Sequence, residues 1–498
     1  MKFARIIAML LLVAMCLSMV VACKDDPDDG SATPTTPNNQ QNNDDPTEDD
    51  GDKFVKDKVP DANYDKTISI RCWEQPTNEY DIELTDGSDD VDEALYNRNR
   101  KVEERLGVEM KYLPIPGNTY AVTAYTKDVH TSIDSKLGLY DIVASYSRCA
   151  GTLASYGDFV NLYNVDHIDT DMPWWPVEVV ETNTIGDKLV VATGDIATSL
   201  IYQMEFMVIN KEYAEEFNIN VDELQTFALD GGWTFDYMMN LAQGRWQEGD
   251  NTIGKSKDDR FGLHVQGFTL FEQFYQGAGL KYTEPTADKT SFEMSDDYIG
   301  KESKDILQKF ADAFRTDSYL YETTIDNRIA EGKSLLYAVY GTTFSGALRD
   351  AAFTARVLPA PKYYEDEDYY TAVTDPHSLY AIPKDAKDRT VSGAVMEVMA
   401  SESHRQVTPV LFDKVFLYKL TNDELDKQLL NLIRDRTTHD LAKTFFEPLG
   451  GDSNGPVRLW NNFGRDGQSN VESKYNLHYE RWNSVLKTIY DTISSIED

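Results

Sequence analysis

The 498-residue chain offers few of the side-chain patterns that enzyme chemistry needs. Its seven histidines (His130, His167, His264, His377, His404, His439 and His478) are scattered, with no pair four apart and no cysteine cluster, so the spacing of a zinc site is absent. The Gly-x-Ser-x-Gly spacing occurs once, at Gly451 to Gly455, and the Gly-x-x-x-x-Gly-Lys-Ser spacing once, at Gly249 to Ser256, neither of them following a strand read in the sequence, and no Gly-x-Gly-x-x-Gly follows the first strand. Paired carboxylates for glycoside hydrolysis stay open, because 85 acidic residues allow many pairs whose separation a sequence does not fix. What stands out is aromatic content: 29 Tyr and 7 Trp. Aromatic faces stack on the apolar side of a sugar ring, while planar polar side chains take its hydroxyls. No cofactor and no metal are expected.

Those residues sit in an acidic chain. The formal net charge is -37, and about -30 remains once the amino-terminal 52 residues are set aside. This excludes nucleic-acid binding, which needs a basic face, and disfavours docking along an anionic membrane. Length and a hydrophobic fraction of 41% fit two domains with full cores.

The amino terminus carries Lys2 and Arg5, then an apolar run from Ile6 to Ala22, then Cys23. The run is short for a bilayer span and follows the positive end, so residues 1–22 read as a signal peptide. The segment Val20-Val21-Ala22-Cys23 resembles the bacterial lipobox. That resemblance implies lipidation of Cys23, with acyl chains such as palmitate anchoring the chain on the extracytoplasmic face of the cell membrane. Residues 23–63 are rich in Asp, Asn, Pro and Gln and read as a disordered acidic tether with a root-mean-square reach of roughly 35 Å. The remaining cysteines, Cys72 and Cys149, permit one disulfide in an exported chain.

From Lys66 the pattern alternates. Thr67 to Trp73 has period two; Val91, Leu95, Val102 and Leu106 form a helical stripe ending at Gly107; Val108 to Tyr112 is a second strand, closed by Pro114. A helix near Thr131 to Leu137 and the apolar run Tyr140 to Ser145 follow. This order implies a parallel sheet with ligands gathering at the carboxyl ends of its strands. Trp73 is there a ligand platform or a packing residue, and Glu74 a sugar acceptor or a solvated charge. Cys72 and Cys149 lie beside two strand ends and would bridge if their Cα atoms come within ~7 Å. Further on, Ser199 to Asn210 reads as extended, Ser334 to Tyr340, Thr354 to Leu358 and Ser378 to Ile382 as strands, Gly450 to Ser469 as a loop, and most of the chain beyond 390 as helix.

Several short motifs, in order, carry a family likeness. They are Asn161-Leu162-Tyr163 followed by Trp174-Trp175, Gly194-Asp195-Ile196-Ala197 leading into Val208-Ile209-Asn210-Lys211, and Trp233-Thr234-Phe235-Asp236. Phe261-Gly262-Leu263, Glu331-Gly332-Lys333-Ser334 and Leu358-Pro359-Ala360-Pro361-Lys362-Tyr363 complete them. With the lipobox and tether, the chain from 64 to 498 resembles the extracellular solute-binding lipoproteins of ABC importers, family 1, the carbohydrate-type family of maltose-binding protein. The resemblance implies an α/β, two-lobe periplasmic-binding-protein-like fold with an inter-lobe ligand cleft and crossing hinge strands. Residues 64–198 with about 373–420 would form lobe 1, residues 199–372 lobe 2, and residues 421–498 helices packed across both.

The resemblance also places further candidates. Tyr146, Ser147 and Arg148 match a loop of polar ligand contacts, with pairing to a surface carboxylate as the other role for Arg148. Tyr202 and Gln203 fall at the crossing between lobes. Tyr340, Thr342 and Phe344 stand where the family presents an opposing aromatic wall, and Asp375 and His377 precede the strand returning to lobe 1. Trp174 and Trp175, set between Pro173 and Pro176, read as lobe packing. The function implied is binding without turnover: a monomeric receptor that closes on a sugar and delivers it to the ABC permease. A surface glycoside hydrolase, a peptide-binding protein and a sensor-linked receptor are the alternatives. Trp73→Ala is expected to weaken the ligand while leaving the melting temperature of the unliganded chain nearly unchanged.

Overall fold

A computed structural model describes residues 55–497, apart from 75, 77, 78, 81, 251–253, 257, 323–326 and 417–422. Residues 1–54, on which the expected signal peptide, Cys23 and most of the expected tether fall, lie outside the described residues. Residues 55–63, which the sequence places in the tether, lie against the body. Val59 is buried, and Asp57 binds Arg105 at 2.6 Å and the Ser401 hydroxyl at 2.5 Å.

The first sheet follows from the alternation at the start of the body. Strand β1 (Lys66–Trp73) is followed by helix α1 (Asp90–Leu106), strand β2 (Val108–Ile115), helix α2 (Val122–Asp134) and strand β3 (Ile142–Tyr146). Asp89 caps α1 by accepting from the Val91 and Asp92 amides, and Gly107 ends it at φ 59°, a left-handed conformation that glycine adopts without strain. Both β2 and β3 run parallel to β1. Strand β2 does not stop at Pro114 as expected: Pro114 pairs with Cys72 and Ile115 with Trp73. A proline is tolerated there because β2 is the sheet's edge strand, where a missing N–H deprives no neighbour. Helix α2 also starts earlier than expected, its buried face running from Val122 through Tyr125 and Val129 to Ile133.

The chain then passes through helix α3 (Ser147–Ser155), helix α4 (Val177–Asn183) and a short helix α5 (Thr198–Tyr202) before strand β4 (Glu205–Asn210). The extended reading of 199–210 therefore holds only from 205. The Glu79 carboxylate accepts from the Ser199 amide at 2.9 Å, satisfying an amide of the first turn that the helix itself leaves open. A second sheet joins β4 to β5 (Phe261–Gln266), β6 (Tyr319–Glu322), β7 (Ser334–Tyr340) and β8 (Ala355–Leu358) in the order β6-β5-β7-β4-β8. Strand β9 (Ser378–Ala381) returns to the first sheet, antiparallel to β3, giving the order β9-β3-β1-β2. Two segments thus cross from one sheet to the other: residues 199–204 outward and 373–377 back. They are tied by the Thr374 amide donating to the Gln203 carbonyl at 3.0 Å.

The carboxyl-terminal region is helical, including Arg389–Glu402, Glu424–Asp435 and Glu472–Ser494. Gly450 to Ser469 is not the loop expected. It contains a helix from Pro456 to Asp466 that buries Val457, Trp460 and Phe463, begins on proline and ends at Gly467 with φ 60°. Its glycine and asparagine content masked that apolar spacing. Trp174 and Trp175 are fully buried, and both indole N–H groups donate to the Glu397 carboxylate at 3.0 Å. Burial pushes the Glu397 carboxyl up to about 7. No helix among the described residues is long and apolar enough to cross a membrane.

Candidate functional site

A cavity of about 850 Å³ opens where the ends of β1, β2 and β7 meet the crossing segments. Trp73, the last residue of β1, and Asn118, just beyond β2, contribute from the first sheet, with Asp89, Asp90 and Val91 at the start of α1. Ser199, Tyr202, Gln203 and Pro376 contribute from the crossing segments. Thr342, Phe344, Ser345 and Arg349 follow β7 and form the facing wall, and Lys414 and Val415 close one side. Gly341 makes that wall possible. A Cβ there would lie 2.6 Å from the Ile201 carbonyl oxygen, so only glycine lets the end of β7 touch the crossing segment.

Each wall is stiffened from behind by aromatic contact. Trp73 stacks on Tyr146 with ring centres 5.2 Å apart, and its indole N–H donates to Ser378 Oγ at 2.8 Å. Phe344 stacks on Phe206 at 5.7 Å and touches Phe416. Tyr202 is half-buried, and burial, with Asp89 and Asp92 nearby, raises its hydroxyl pKa. Lys414 and Asp90 form an exposed ion pair at 2.8 Å, which raises the lysine. The Asp89 carboxylate is engaged by the first turn of α1. The lining therefore combines rings and short apolar groups with hydroxyl, amide and charged groups of both signs. That combination can hold an uncharged polar molecule by its faces and its edges.

Five of the residues singled out in the sequence line this cavity: Trp73, Tyr202, Gln203, Thr342 and Phe344. Glu74 is exposed beyond the end of β1, its amide donating to the Ile115 carbonyl. Tyr146 lies behind Trp73. Tyr340, still within β7, is buried, and its hydroxyl bonds that of Thr269.

Ser147, Arg148, Asp375 and His377 belong to a second, buried group. Arg148 donates to Asp375 Oδ2 at 2.6 and 2.9 Å, reaches Asp452 at 3.2 Å and Glu447 at 3.4 Å, and lies 3.8 Å from the centre of the Phe446 ring. Ser147 donates to the Asp375 carbonyl. Beside them Lys443 bonds Glu272 and the Val373 carbonyl, and Asn461 donates to Glu272 at 2.8 Å. Burial works against the Asp375 charge, but Arg148 and Lys443 outweigh it and hold the carboxyl below the ordinary range. Glu205 is the opposite case: burial and the nearby Glu272 charge push its carboxyl well above the ordinary range. Burial brings His377 down to about 4, and its Nδ1 faces the Thr374 carbonyl at 2.9 Å.

Two expectations need correction. No disulfide joins Cys72 and Cys149, both buried thiols. The strands are neighbours, but Cys72 pairs with Ala144, five residues before Cys149, and the Cys149 sulfur points to the Gly117 carbonyl at 3.4 Å. Trp73 is only 2% exposed, so Trp73→Ala empties a packed site and lowers the stability of the unliganded chain. Asn118, three residues past the end of β2, escapes the strand-end argument because the sequence places that end at Pro114. Nothing in the local pattern pointed to Arg349, Lys414 or Val415, which tertiary packing brings in.

No protein-family model matches the chain, and no curated protein matches it in sequence. Solved structures do match in shape. UspC of M. tuberculosis aligns over 84% of this chain and 100% of its own, at 12% identity and a TM-score of 0.55. A cyclic alpha-maltosyl-1,6-maltose binding protein from Arthrobacter globiformis aligns over 84% and 99%, at 13% identity and 0.52. The structure of a de novo designed esterase aligns over 86% and 100%, at 11% identity and 0.53. The chain has the periplasmic solute-binding fold. At these identities the solute-binding fold is what the likeness establishes, and the chemistry has to come from the cavity.

Proposed function

We propose that this chain is the lipid-anchored substrate-binding component of an ABC importer and that it binds a carbohydrate in the cavity between its two sheets. The observation that carries this reading is the lining itself. Aromatic rings from β1, from the crossing segment and from the turn after β7 converge with Asn118, Ser199 and Gln203 on one space large enough for several sugar rings. The likeness to a protein named for binding a cyclic maltosyl-maltose supports the same class of ligand. Residues belonging to either sheet touch the ligand together only when the sheets are drawn close, so ligand shifts the population toward a closed arrangement that a permease recognises. Lobe 1 would comprise 64–198 with about 373–420, and lobe 2 residues 199–372. Cys23 would carry the lipid, and the tether would hold the monomeric receptor near the permease.

The test is equilibrium binding to a panel of oligosaccharides, read by tryptophan fluorescence, with chromatography of the ligand afterwards. The reading expects saturable one-to-one binding of a saccharide recovered intact. New reducing ends would replace it with the hydrolase alternative, and binding of peptides alone with the peptide receptor.

A further inference from the structure

The charges that line the cavity are unequally used. Of the four charged side chains described there, Asp89 accepts from the Val91 and Asp92 amides, and Asp90 pairs with Lys414 at 2.8 Å. The fourth, Arg349 on the facing wall, makes no ion pair, hydrogen bond or ring contact through its side chain among the described residues. In a chain with 85 acidic residues against 48 basic ones, a guanidinium readily finds a carboxylate. Arg105, Arg148, Arg260 and Arg356 each hold one at 2.8 Å or less. Arg349 does not. Resting on the saccharide reading above, we propose that Arg349 recognises an anionic group on the ligand, so that the sugar taken is an acidic one, bearing a carboxylate or a sulfate.

The turn that carries Arg349 is held in place. Phe344 and Leu348 are buried, the Leu348 amide donates to the Thr343 carbonyl at 2.8 Å, and the Arg349 amide donates to the Gly346 carbonyl at 3.0 Å. The Arg349 side chain is exposed, so its charge stays hydrated until a ligand arrives, and the backbone that presents it needs no ordering when one does. Asp350, its neighbour in the chain, is also exposed and forms no ion pair with it.

The hydrogen-bonding capacity of the lining is biased the same way. Its carboxylates are engaged, whereas the guanidinium is not. Asn118 Oδ1 already accepts from the Tyr120 amide at 3.1 Å, which leaves that side chain its N–H₂ to donate. A neutral sugar hydroxyl donates as well as accepts and uses a surplus of donors poorly. A carboxylate or sulfate only accepts, and the guanidinium fork takes two such oxygens together. The anion belongs on the Arg349 wall, because Asp89 and Asp90 stand at the start of α1 on the other side and would repel it. The net charge of -37 opposes an anion at a distance. Salt screens that field beyond about 8 Å at physiological strength, and a direct ion pair in a partly enclosed cavity is screened less.

Calorimetric titration of the full chain tests this with galactotriose, xylotriose and cellotriose, each beside a counterpart carrying one uronic acid unit and another carrying one sulfate ester. The tightest binder is expected to be an acidic member, about tenfold or more tighter than its neutral counterpart. Arg349→Gln is expected to weaken the acidic member about tenfold more than the neutral one, and Arg349→Lys to weaken it less. The melting temperature without ligand should be unchanged in both variants, since the side chain holds nothing in the chain. Whether the uronate or the sulfate series binds more tightly identifies the anion. Neutral members binding as tightly as acidic ones overturn the proposal and leave the saccharide reading standing. A preference for acidic members that Arg349→Gln does not diminish also overturns it. Failure of every member to bind, neutral or acidic, overturns the saccharide reading and this one with it.

Discussion

The aromatic cavity and the buried ionic group beside it use the same strand ends for opposite purposes. In the cavity, Tyr202 and Gln203 keep part of their surface open, and charges such as Lys414 and Asp90 pair in solvent. In the ionic group, Arg148 is 6% exposed, Asp375 4% and Lys443 fully buried, and their partners are other protein groups. One step along the chain decides between the two. Pro376 lines the cavity, while Asp375 and His377 on either side of it are buried with the ions. A polar residue at a strand end therefore supports a binding role only when its hydrogen-bonding capacity is not already used. Arg148 and Asp375, which look in the sequence like ligand contacts, hold the crossing segments to the first sheet.

The sharpest way to break this contrast is Lys443→Met. It leaves Glu272 buried without its cation, and unfolding by denaturant should show a loss of ~3–5 kcal/mol. A loss below about 1 kcal/mol would mean that water reaches the group and that it is not structural. Trp73→Ala comes next. It should cost ~3 kcal/mol of unliganded stability in the same measurement, at the low end for a buried tryptophan because the adjoining cavity lets solvent fill part of the gap. An unchanged midpoint would return Trp73 to the role of a free ligand platform.

A pH effect is expected at Glu397. Its folded value near 7 lies above the ordinary 4.5, so between those values the folded chain binds a proton that the unfolded chain has released. The resulting destabilisation is absent below about pH 4.5, grows through the window and is complete above about pH 7, reaching roughly 3 kcal/mol. Glu397→Gln removes this titration, so the stability advantage of wild type over the variant should shrink as pH rises from 5 to 8. A gap independent of pH would contradict the raised value.

Much of this fold was legible in the sequence. The Val91-Leu95-Val102-Leu106 stripe and the alternation of β1 and β2 defined the first sheet because one-sided burial writes its period into the chain, and β3, buried along its whole length, showed as an apolar run. The second sheet's strands β7 and β8 were visible as short apolar runs. What misled were residues whose usual meaning is reversed by position: Pro114 on an edge strand, and the glycines and asparagines around a helix anchored by Trp460. The cavity was legible where it follows directly from a strand end, as at Trp73, Thr342 and Phe344. It was not legible at Arg349 or Lys414, which reach it only through packing of distant segments. Whether a candidate faces the cavity or the ionic group depends on partners as remote as Glu447 and Asp452 for Arg148, and no local pattern encodes those.

The central claim, that ligand is gripped by the cavity and not by the ionic group, is tested most directly by parallel titrations with the tightest-binding oligosaccharide. Wild type, Tyr202→Ala and Glu447→Gln would be compared by tryptophan fluorescence. The account predicts that Tyr202→Ala weakens binding by ~1 kcal/mol or more and that Glu447→Gln leaves it unchanged. Loss of affinity in Glu447→Gln with none in Tyr202→Ala would contradict it.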